Sequence, residues 1–503
     1  MRLKGIDIKG ITSEPWKVKP GYLFVHTRKN GYYGVEQISD AIRLGASLIF
    51  TEMEYPVSHE GVIKVKDSSK LLGFLSSRFF GFPSDRLMLI GVIGDKGKTT
   101  VVHMLEGILT MGGLEVGFCS SLVNKAGDYY SPPLVDEPLP ERLNRELYNM
   151  VIRKIDIGII EIPNSVIGES WLTNIKFDVI ICTNHYSSPS NDIHRSFVGL
   201  KGKTVDTDNP RILILNGDDG LNTGVLDMTQ KPYIISYGLN PKSSITASSI
   251  EQDKGTRFTY CIQRGVRTMN KNFIEPQEFP VSLMVTGQHN VYNALSAVTA
   301  ALICDIPIPT IQRSLSEFFG LKRRQEIIFN NDYIVIDDCC NTAESYETLF
   351  KVIQEMNYKR LWLVIEPDYR LTMDQTFKLV QLINNWSVTL NIVQITVLDD
   401  RSLSRNFVDP SQKRNKTVNI IMDMLKQSHA ALKRIGTLKE AVSINLNRIR
   451  KGDIMVLAGN RLMEQGAGVF MELLFQDNEP KEPGSTAPLS KKHVIIDHLP
   501  EYL

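Results

Sequence analysis

One short segment joins the residue types needed to hold a nucleotide phosphate. It follows an apolar run at residues 88–93 and opens a helix predicted over residues 99–111. Glycines let backbone N–H groups turn towards phosphate oxygens, and the N-terminus of the helix adds positive potential. Lys98 would reach the β- and γ-phosphates, and the Thr99 hydroxyl would ligate Mg²⁺. We call this segment the phosphate loop; its residues are Gly94, Asp95, Lys96, Gly97, Lys98, Thr99 and Thr100.

The alternative for this segment is an ordinary glycine turn with a solvated lysine. The order of strand, glycine turn and helix favours nucleotide binding instead. Apolar runs alternate with helical stretches further along, which predicts a mostly parallel, doubly wound sheet. The predicted strands are residues 157–161, 178–182 and 211–215, followed by a polar, strand-rich edge at 245–285 and a helix at 290–303.

Two further α/β units flank this central one. The first has predicted strands at residues 21–25 and 47–50 around a helix at 35–44. The last has predicted strands at 333–337, 361–365, 392–397 and 453–457, then a predicted loop at 476–491 and a final strand at 494–496. At roughly 100–200 residues per domain, 503 residues suggest three domains. We place their boundaries at 1–87, 88–320 and 321–503.

The amino-acid composition indicates which kinds of molecule the protein is expected to bind. The formal net charge is +1, so no overall field favours nucleic acid or an anionic membrane. None of the six cysteines forms a CxxC pair, which favours buried thiols in a reducing compartment over disulfides or zinc. No secretory h-region or membrane-length apolar run is visible. We expect a cytoplasmic monomer or homodimer acting on small molecules.

The phosphate loop resembles the GTNGKTT loop of the Mur ligase and folylpolyglutamate synthetase superfamily. It is not the GxxxxGK[ST] form, because residue 92 is valine. Asp95 and Lys96 stand where that family usually has Thr and Asn. The resemblance implies ATP binding, and the Asp95 charge near the phosphates predicts some loss of affinity or rate.

Further segments resemble the metal and carbamate positions of the family. Glu161 lies at the end of a predicted strand and resembles the glutamate of the family that helps hold the catalytic Mg²⁺. The alternative is that Glu161 is an ordinary surface residue. Thr183 and Asn184 match the family, which implies that they contact the substrate, but the Asp-His-Leu-Asp signature after them is absent. Lys201 lies where the family carries a carbamylated lysine. The open alternatives are His185 or His194 as a replacement metal histidine or as ordinary loop residues, and Lys203 in place of Lys201.

Three segments resemble the nucleotide-contacting motifs. Residues 287–294 resemble GxHNxxNALAA, which implies that Asn290 contacts the adenine; helix capping by Asn290 is the alternative. Residues 322–326 resemble GRxE, which implies that Arg324 reaches the γ-phosphate or acyl phosphate. Residues 336–342 resemble both DYAHTP and DDSYNANP, with Asp338 and Asn341 near the ribose and adenine. A solvated basic turn and an acidic strand-end turn are the alternatives.

The substrate-reading segments depart most from the family. Arg401 stands where the tripeptide ligases read the incoming diamino acid, and Glu464 lies in a loop resembling AGKGHE without its Lys and His. A plain surface role is the alternative for both residues. Pro15 and Trp16 replace the Ser-Arg pair that helps hold UDP. The resemblance therefore implies an altered amino-acid pocket and weakens the case for a UDP-linked acceptor.

Taken with the family, the sequence implies a peptidoglycan-type ATP-dependent carboxylate–amine ligase that uses Mg²⁺ and an acyl phosphate. It is most similar to the UDP-N-acetylmuramyl-tripeptide synthetases, with some MurF-like motifs. The implied catalytic residues are Lys98, Glu161, Lys201 and Arg324. The alternatives are a catalytically weak paralogue serving as a nucleotide-binding regulatory or partner subunit, and a ligase in a secondary pathway. A folylpolyglutamate synthetase is disfavoured, because a whole unit precedes the phosphate loop.

Overall fold

The chain folds into two compact units, Met1–Gly320 and Leu321–Leu503. The computed structural model describes residues 1–27, 34–55, 59–94, 96–133, 140–163, 166, 169–183, 212–218, 233–252, 255–340, 342–368, 371–399, 411–460 and 462–476. Short 3-10 helices are Pro15–Lys17, Pro83–Asp85, Ser170–Asn174 and Leu462–Gln465.

The first unit begins with a parallel sheet in the order β3-β4-β5-β6. Its elements are β1 (Arg2–Leu3), β2 (Ile6–Asp7), β3 (Gly10–Thr12), β4 (Tyr22–Val25), α1 (Val35–Arg43), β5 (Leu48–Thr51), β6 (Val62–Lys64) and α2 (Ser68–Phe79). Successive strand residues face opposite sides of a sheet. Leu23 and Val25 therefore share a core with α2, whereas Phe24 shares one with α1. Because both faces are covered, the buried residues of β4 and most of β5 are apolar.

A second sheet of the first unit carries the phosphate loop. Its elements are β7 (Met88–Ile93), α3 (Lys98–Met111), β8 (Val116–Cys119), β9 (Asn124–Ala126), β10 (Tyr129–Ser131), α4 (Pro140–Ile152), β11 (Ile157–Glu161), β12 (Val179–Cys182), β13 (Ile212–Asn216), β14 (Tyr233–Tyr237), β15 (Ile245–Gln252), β16 (Thr256–Ile262), β17 (Val266–Arg267), β18 (Phe273–Ile274), β19 (Gln277–Leu283), α5 (Gln288–Ile303) and α6 (Ile308–Ser316). In the described residues the strand order is β10-β9-β8-β11-β7-β12-β13-β14-β15-β16-β19. Strands β8 to β15 of that order are parallel, and β9, β10, β16 and β19 run antiparallel to their neighbours.

Strand β7 lies between β11 and β12, so its carboxyl end is flanked by theirs. Ile90 and Val92 pack into the core shared with α3 and α5, and Leu89 and Ile93 pack into the core shared with α4. Helices thus cover both faces, as the uninterrupted apolar sequence of β7 predicts. Ligand sites in such sheets form at the carboxyl ends of the strands.

The second unit is a six-stranded sheet in the order β20-β21-β25-β22-β23-β24. Its elements are β20 (Glu326–Asn330), β21 (Ile334–Asp338), α7 (Ala343–Gln354), β22 (Leu361–Ile365), α8 (Met373–Thr389), β23 (Ile392–Leu398), α9 (Ser411–Leu425), β24 (Ala431–Ile435), α10 (Leu438–Leu446), β25 (Ile454–Ala458) and α11 (Gly466–Gln476). Only β20 runs antiparallel among these described strands. Helices α7, α8 and α9 share one core with the sheet, and α10 and α11 share the other.

The predicted α/β class with large parallel sheets is confirmed, and predicted element ends shift by a residue or two. The strands that were not predicted include β9, β10 and β20, which are antiparallel and carry little apolar periodicity, and the parallel strands β6, β14 and β24. The division of the first unit at residue 87 stays a prediction, and the predictions for residues 477–503 lie outside the described residues. All six cysteines are free thiols. None of the described helices has both the length and the apolar character to cross a bilayer.

Candidate functional site

The phosphate loop turns sharply between β7 and α3. Gly97 is the residue before α3 and has a φ of 81°, in the left-handed region that glycine adopts without strain. A Cβ at this position would overlap the Asn293 side-chain oxygen. The backbone conformation therefore favours glycine, and a larger residue would also have to displace the Asn293 side chain. The loop passes directly into the N-terminus of α3, where unpaired N–H groups favour an anion.

Two side chains hold the described part of the loop. The Lys98 ammonium donates to the Gly94 carbonyl at 2.5 Å. The Thr183 hydroxyl, at the end of β12, donates to the Ile93 carbonyl at 3.2 Å and to the Lys96 carbonyl. Thr183 was predicted as a substrate residue, and the structure places it against the loop backbone. Asp95 lies outside the described residues.

A cluster of oxygen atoms lies beside the start of α3. The Thr99 hydroxyl is 3.0 Å from both carboxylate oxygens of Glu161, to which it donates. The Ser121 amide donates to Glu161 at 2.8 Å, and the Ser121 hydroxyl is 2.9 Å from that of Thr99. The structure therefore brings together the two predicted metal ligands, and their role as ligands stays a prediction.

These donors fit a hard divalent cation. Mg²⁺ prefers oxygen ligands, and it is usually bound by one or two carboxylates together with phosphate and water oxygens. Among the described residues, no group of three His, Cys, Asp or Glu side chains could hold a metal ion. Thr99, Glu161 and Ser121 would hold Mg²⁺ only together with phosphate oxygens, so this cluster suits a nucleotide-bound ion.

Sequence reasoning did not identify Ser121 or Asn293. Ser121 follows β8, which pairs directly with β11, so its position beside Glu161 depends on strand order. Asn293 follows Asn290 by one helical turn, and its amide donates to the Asn290 oxygen at 3.3 Å. A signal existed for Asn293, which belongs to the motif that carries Asn290, but not for Ser121, which lies two residues beyond β8.

The structure at the start of α5 contradicts the alternative that Asn290 caps this helix. The N-cap of α5 is Gly287, so Asn290 lies inside the helix and does not cap it. Its side-chain amide donates to the Thr286 carbonyl at 2.8 Å. Burial and, to a smaller extent, the charge of Lys96 lower the pKa of the neighbouring His289 to about 4. A neutral imidazole therefore lies near the phosphate loop at physiological pH.

The predicted residues of the second unit lie at strand ends. Asp338 is buried at the end of β21, and burial raises its pKa to about 6, although the charge of Arg324 lowers it. The Arg324 amide donates to the Leu321 carbonyl at 3.1 Å, in the turn before β20. Glu464 is exposed in the 3-10 helix before α11, which suits the surface alternative.

Several predicted positions lie outside the described residues, and their roles stay predictions. These are Asp95, Asn184, Lys201, Asn341 and Arg401, together with the alternatives His185, His194 and Lys203.

Several named proteins are similar to this chain in sequence. Residues 92–301 match the family model described as the Mur ligase middle domain. Two relatives are named UDP-N-acetylmuramoyl-L-alanyl-D-glutamate–2,6-diaminopimelate ligase. The one from Geobacillus thermodenitrificans (strain NG80-2) is 28% identical over 371 residues, which is 71% of this chain and 73% of the relative. The one from Bacillus velezensis is 23% identical over 466 residues, which is 90% of this chain and 89% of the relative.

Solved structures share the fold. A MurF from Acinetobacter baumannii matches with a TM-score of 0.59 and 17% identity, over 93% of this chain and 94% of that one. A MurF ligase from Thermotoga maritima in complex with ADP matches with a TM-score of 0.58 and 15% identity, over 94% of this chain and 100% of that one. The central region is therefore similar to the Mur ligase middle domain, and the similarity to the named ligases extends over most of the chain.

Proposed function

We propose that the protein is an ATP-dependent ligase that joins a carboxylate to an amine through an acyl phosphate. The observation that carries this proposal is the phosphate loop with its adjoining oxygen cluster. Lys98 begins α3, and Thr99 lies 3.0 Å from the Glu161 carboxylate. Support also comes from the relatives, which are named as ligases that use a UDP-N-acetylmuramoyl peptide and 2,6-diaminopimelate.

In the first step, a substrate carboxylate oxygen attacks the γ-phosphorus of ATP, and the bond to the β-phosphate oxygen breaks to release ADP. The amine nitrogen then attacks the acyl carbon, the tetrahedral intermediate expels phosphate, and the nitrogen loses a proton. Lys98 and the loop amides would neutralise phosphoryl charge and hold the reacting groups in line. Thr99, Glu161 and Ser121 would hold Mg²⁺, which supplies further charge neutralisation when bound.

The other predicted groups complete the proposal. Arg324 and Asp338 are proposed to bind the nucleotide, and Asn290 is proposed to contact its adenine. Lys201, if carbamylated, would add an anion for a metal. A cytoplasmic location is part of the same proposal.

The acceptor is proposed only as a carboxylic acid of the UDP-MurNAc-peptide type or a related one. Trp16 stands where the family has an arginine that helps hold UDP, and its side chain is 67% exposed. The neighbouring Glu14 accepts hydrogen bonds from Lys17 and Arg142. Burial opposes ionisation of Glu14, but these cations hold its pKa below the usual value. Glu14 therefore engages both cations in ion pairs, which a diphosphate would have to displace in order to use them.

A product screen tests the proposal. The purified chain is incubated with Mg-ATP, a UDP-MurNAc dipeptide and single amino acids, beginning with 2,6-diaminopimelate. Amine-dependent ADP release and a product heavier by one amino acid less water, seen by mass spectrometry, are expected for at least one pair. The control replaces the acceptor by its amide, which lacks the reacting carboxylate and should release no ADP.

A nucleotide-binding regulatory or partner subunit is the second candidate. It is favoured by the changed Asp95 and Lys96 and by the missing Asp-His-Leu-Asp signature. Tight Mg-ATP binding without ADP release for any acid and amine would support this candidate over the ligase.

A further inference from the structure

The turn that carries Arg324 has an unusual backbone. Arg323 has a φ of 57° and Gln325 a φ of 54°, so both neighbours of Arg324 adopt the left-handed conformation. Residues with a Cβ pay a steric cost there, and such conformations persist where surrounding contacts hold them. The direction in which Arg324 points therefore depends on whatever holds this turn.

The Arg323 guanidinium supplies three of these contacts. It donates to the Asn460 carbonyl at 2.7 Å and to the Gly459 carbonyl at 2.8 Å. Its Nε lies 3.3 Å from the Asp337 carboxylate, which is fully buried. Asp337 belongs to β21, and residues 459–460 directly follow β25, the parallel neighbour of β21. One side chain thus ties the turn to the ends of two strands.

The backbone of Arg323 is also fully used. Its amide donates to the Glu326 carboxylate at 2.7 Å, and its carbonyl accepts from the Cys339 amide at 2.8 Å. These two bonds do not require a side chain, so a glycine at this position would keep them. The three guanidinium bonds can therefore be removed separately, and glycine would also relieve the left-handed strain.

The loop that accepts the guanidinium is held from its other side. The Glu366 carboxylate, just after β22, accepts from the amides of Asn460, Leu462 and Met463 at 2.8, 3.1 and 3.2 Å. A Cβ at Gly459 would lie 2.5 Å from the Glu366 Cβ, so the two segments are in close contact. The carbonyls that bind Arg323 therefore belong to a fixed loop.

We infer that Arg323 is a positioning residue that acts through Arg324 on the γ-phosphoryl group of the nucleotide. Its guanidinium locks the turn onto the ends of β21 and β25, and this sets the orientation of the next side chain. The GRxE pattern has glycine at this position, so this chain uses a side-chain lock that the pattern does not encode. The inference rests on the proposed function for the role of Arg324, and on the described contacts for the lock itself.

A double-mutant cycle in the full-length chain tests the inference. The variants are Arg323→Gly, Arg324→Ala and the double change, with exposed Lys322→Ala as the matched control. Misplacement by about 1 Å can cost ~10²-fold in rate, so Arg323→Gly should lower kcat for ADP release ~10- to 100-fold. In the Arg324→Ala background the same change should cost no more than about twofold. A purely structural role would give equal losses in both backgrounds and would overturn the inference.

A binding measurement separates failure of the inference from failure of the proposed function. Without any turnover by the wild type the ligase proposal fails, but the affinities for ADP and a non-hydrolysable ATP analogue can still be compared. Arg323→Gly should reduce the preference for the analogue, which bears a γ-phosphoryl group, and leave ADP binding within about twofold. Arg323→Lys should recover part of the preference. Parallel loss of both affinities, or no loss of either, would overturn the inference.

Discussion

The phosphate loop and the turn around Arg323 are held in opposite ways. At the phosphate loop, the buried Thr99 contacts the half-buried Glu161 and the exposed Ser121 at the N-terminus of a helix. At the turn, the Arg323 guanidinium is committed to two carbonyls and a buried carboxylate. The first arrangement can exchange its contacts for a ligand at little cost, whereas the second loses charge-assisted bonds if it moves.

The two glutamates at strand ends show the same contrast. Glu161 receives a hydroxyl and one amide beside the phosphate loop, but Glu366 receives the amides that begin the last 3-10 helix. Such amides can bind an external anion. In this chain an internal carboxylate already occupies them. The comparison teaches that the oxygen cluster beside the phosphate loop is arranged so that a ligand could replace its contacts, whereas the amides after β25 are already bound by an internal carboxylate.

The largest expected effect is on turnover. Glu161→Gln should raise the Mg²⁺ concentration needed for half-maximal ADP release by ~10- to 100-fold, because a metal ligand loses its charge. Thermal unfolding should change little, since the carboxylate holds few other groups. A titration of Mg²⁺ at saturating ATP measures the shift. An unchanged Mg²⁺ dependence would remove Glu161 from the proposed ligand set.

The matched change in the second unit should act on stability instead. Glu366→Gln weakens the bonds to three amides, and bonds to charged groups contribute about 1.5–3 kcal/mol. We expect a loss of about 2 kcal/mol in the free energy of unfolding of this unit, with the Mg²⁺ dependence unchanged. Denaturant unfolding followed by hydrogen exchange of residues 460–463 measures it. Equal stability of the variant would break the comparison.

Substitutions at two glycines separate the effect of steric contact in the phosphate loop from the effect of backbone strain. Gly97→Ala and Gly113→Ala both place a Cβ at positive φ, but only the first meets another atom, the Asn293 oxygen. Both should be destabilised by about 1 kcal/mol from backbone strain. Gly97→Ala should lose about 1 kcal/mol more and should also weaken nucleotide binding. Equal destabilisation of the two variants would show that the Asn293 contact relaxes freely.

The smallest expected effect is a pH dependence at Glu141. Its carboxylate accepts from the Ser13 amide at 2.9 Å and hydroxyl at 2.8 Å, and burial raises its pKa above the usual 4.5. Because the folded-state pKa is the higher one, the stability from this group is full below pH 4.5 and is lost as the pH rises through the folded pKa.

Glu141→Gln should remove this fall, so the stability of the variant relative to the wild type should increase from pH 4 to neutrality. Urea unfolding at several pH values provides the measurement, and exposed Glu60→Gln is the control. A difference between variant and wild type that does not vary with pH would contradict the assignment.

Sequence periodicity predicted the elements that carry the site, because buried parallel strands such as β7 are apolar without interruption. It could not predict contacts that depend on strand order. Ser121 reaches Glu161 only because β8 and β11 are neighbours in the sheet. The role of Arg323 was also missed, since neither a left-handed turn nor its partners some 137 residues away can be read from a basic run. Electrostatic details such as the raised pKa of Asp338 depend on burial and were equally hidden.

Calorimetric titration of Mg-ATP into the purified chain tests the central claim most directly, with Lys98→Ala and the exposed-lysine variant Lys66→Ala measured in parallel. We predict saturable binding by the wild type and by Lys66→Ala. The affinity of Lys98→Ala should be lower by ~10-fold or more, because the ammonium that pairs with the phosphates is gone. Absence of binding heat for the wild type, or equal affinity of the Lys98→Ala variant, would contradict the account.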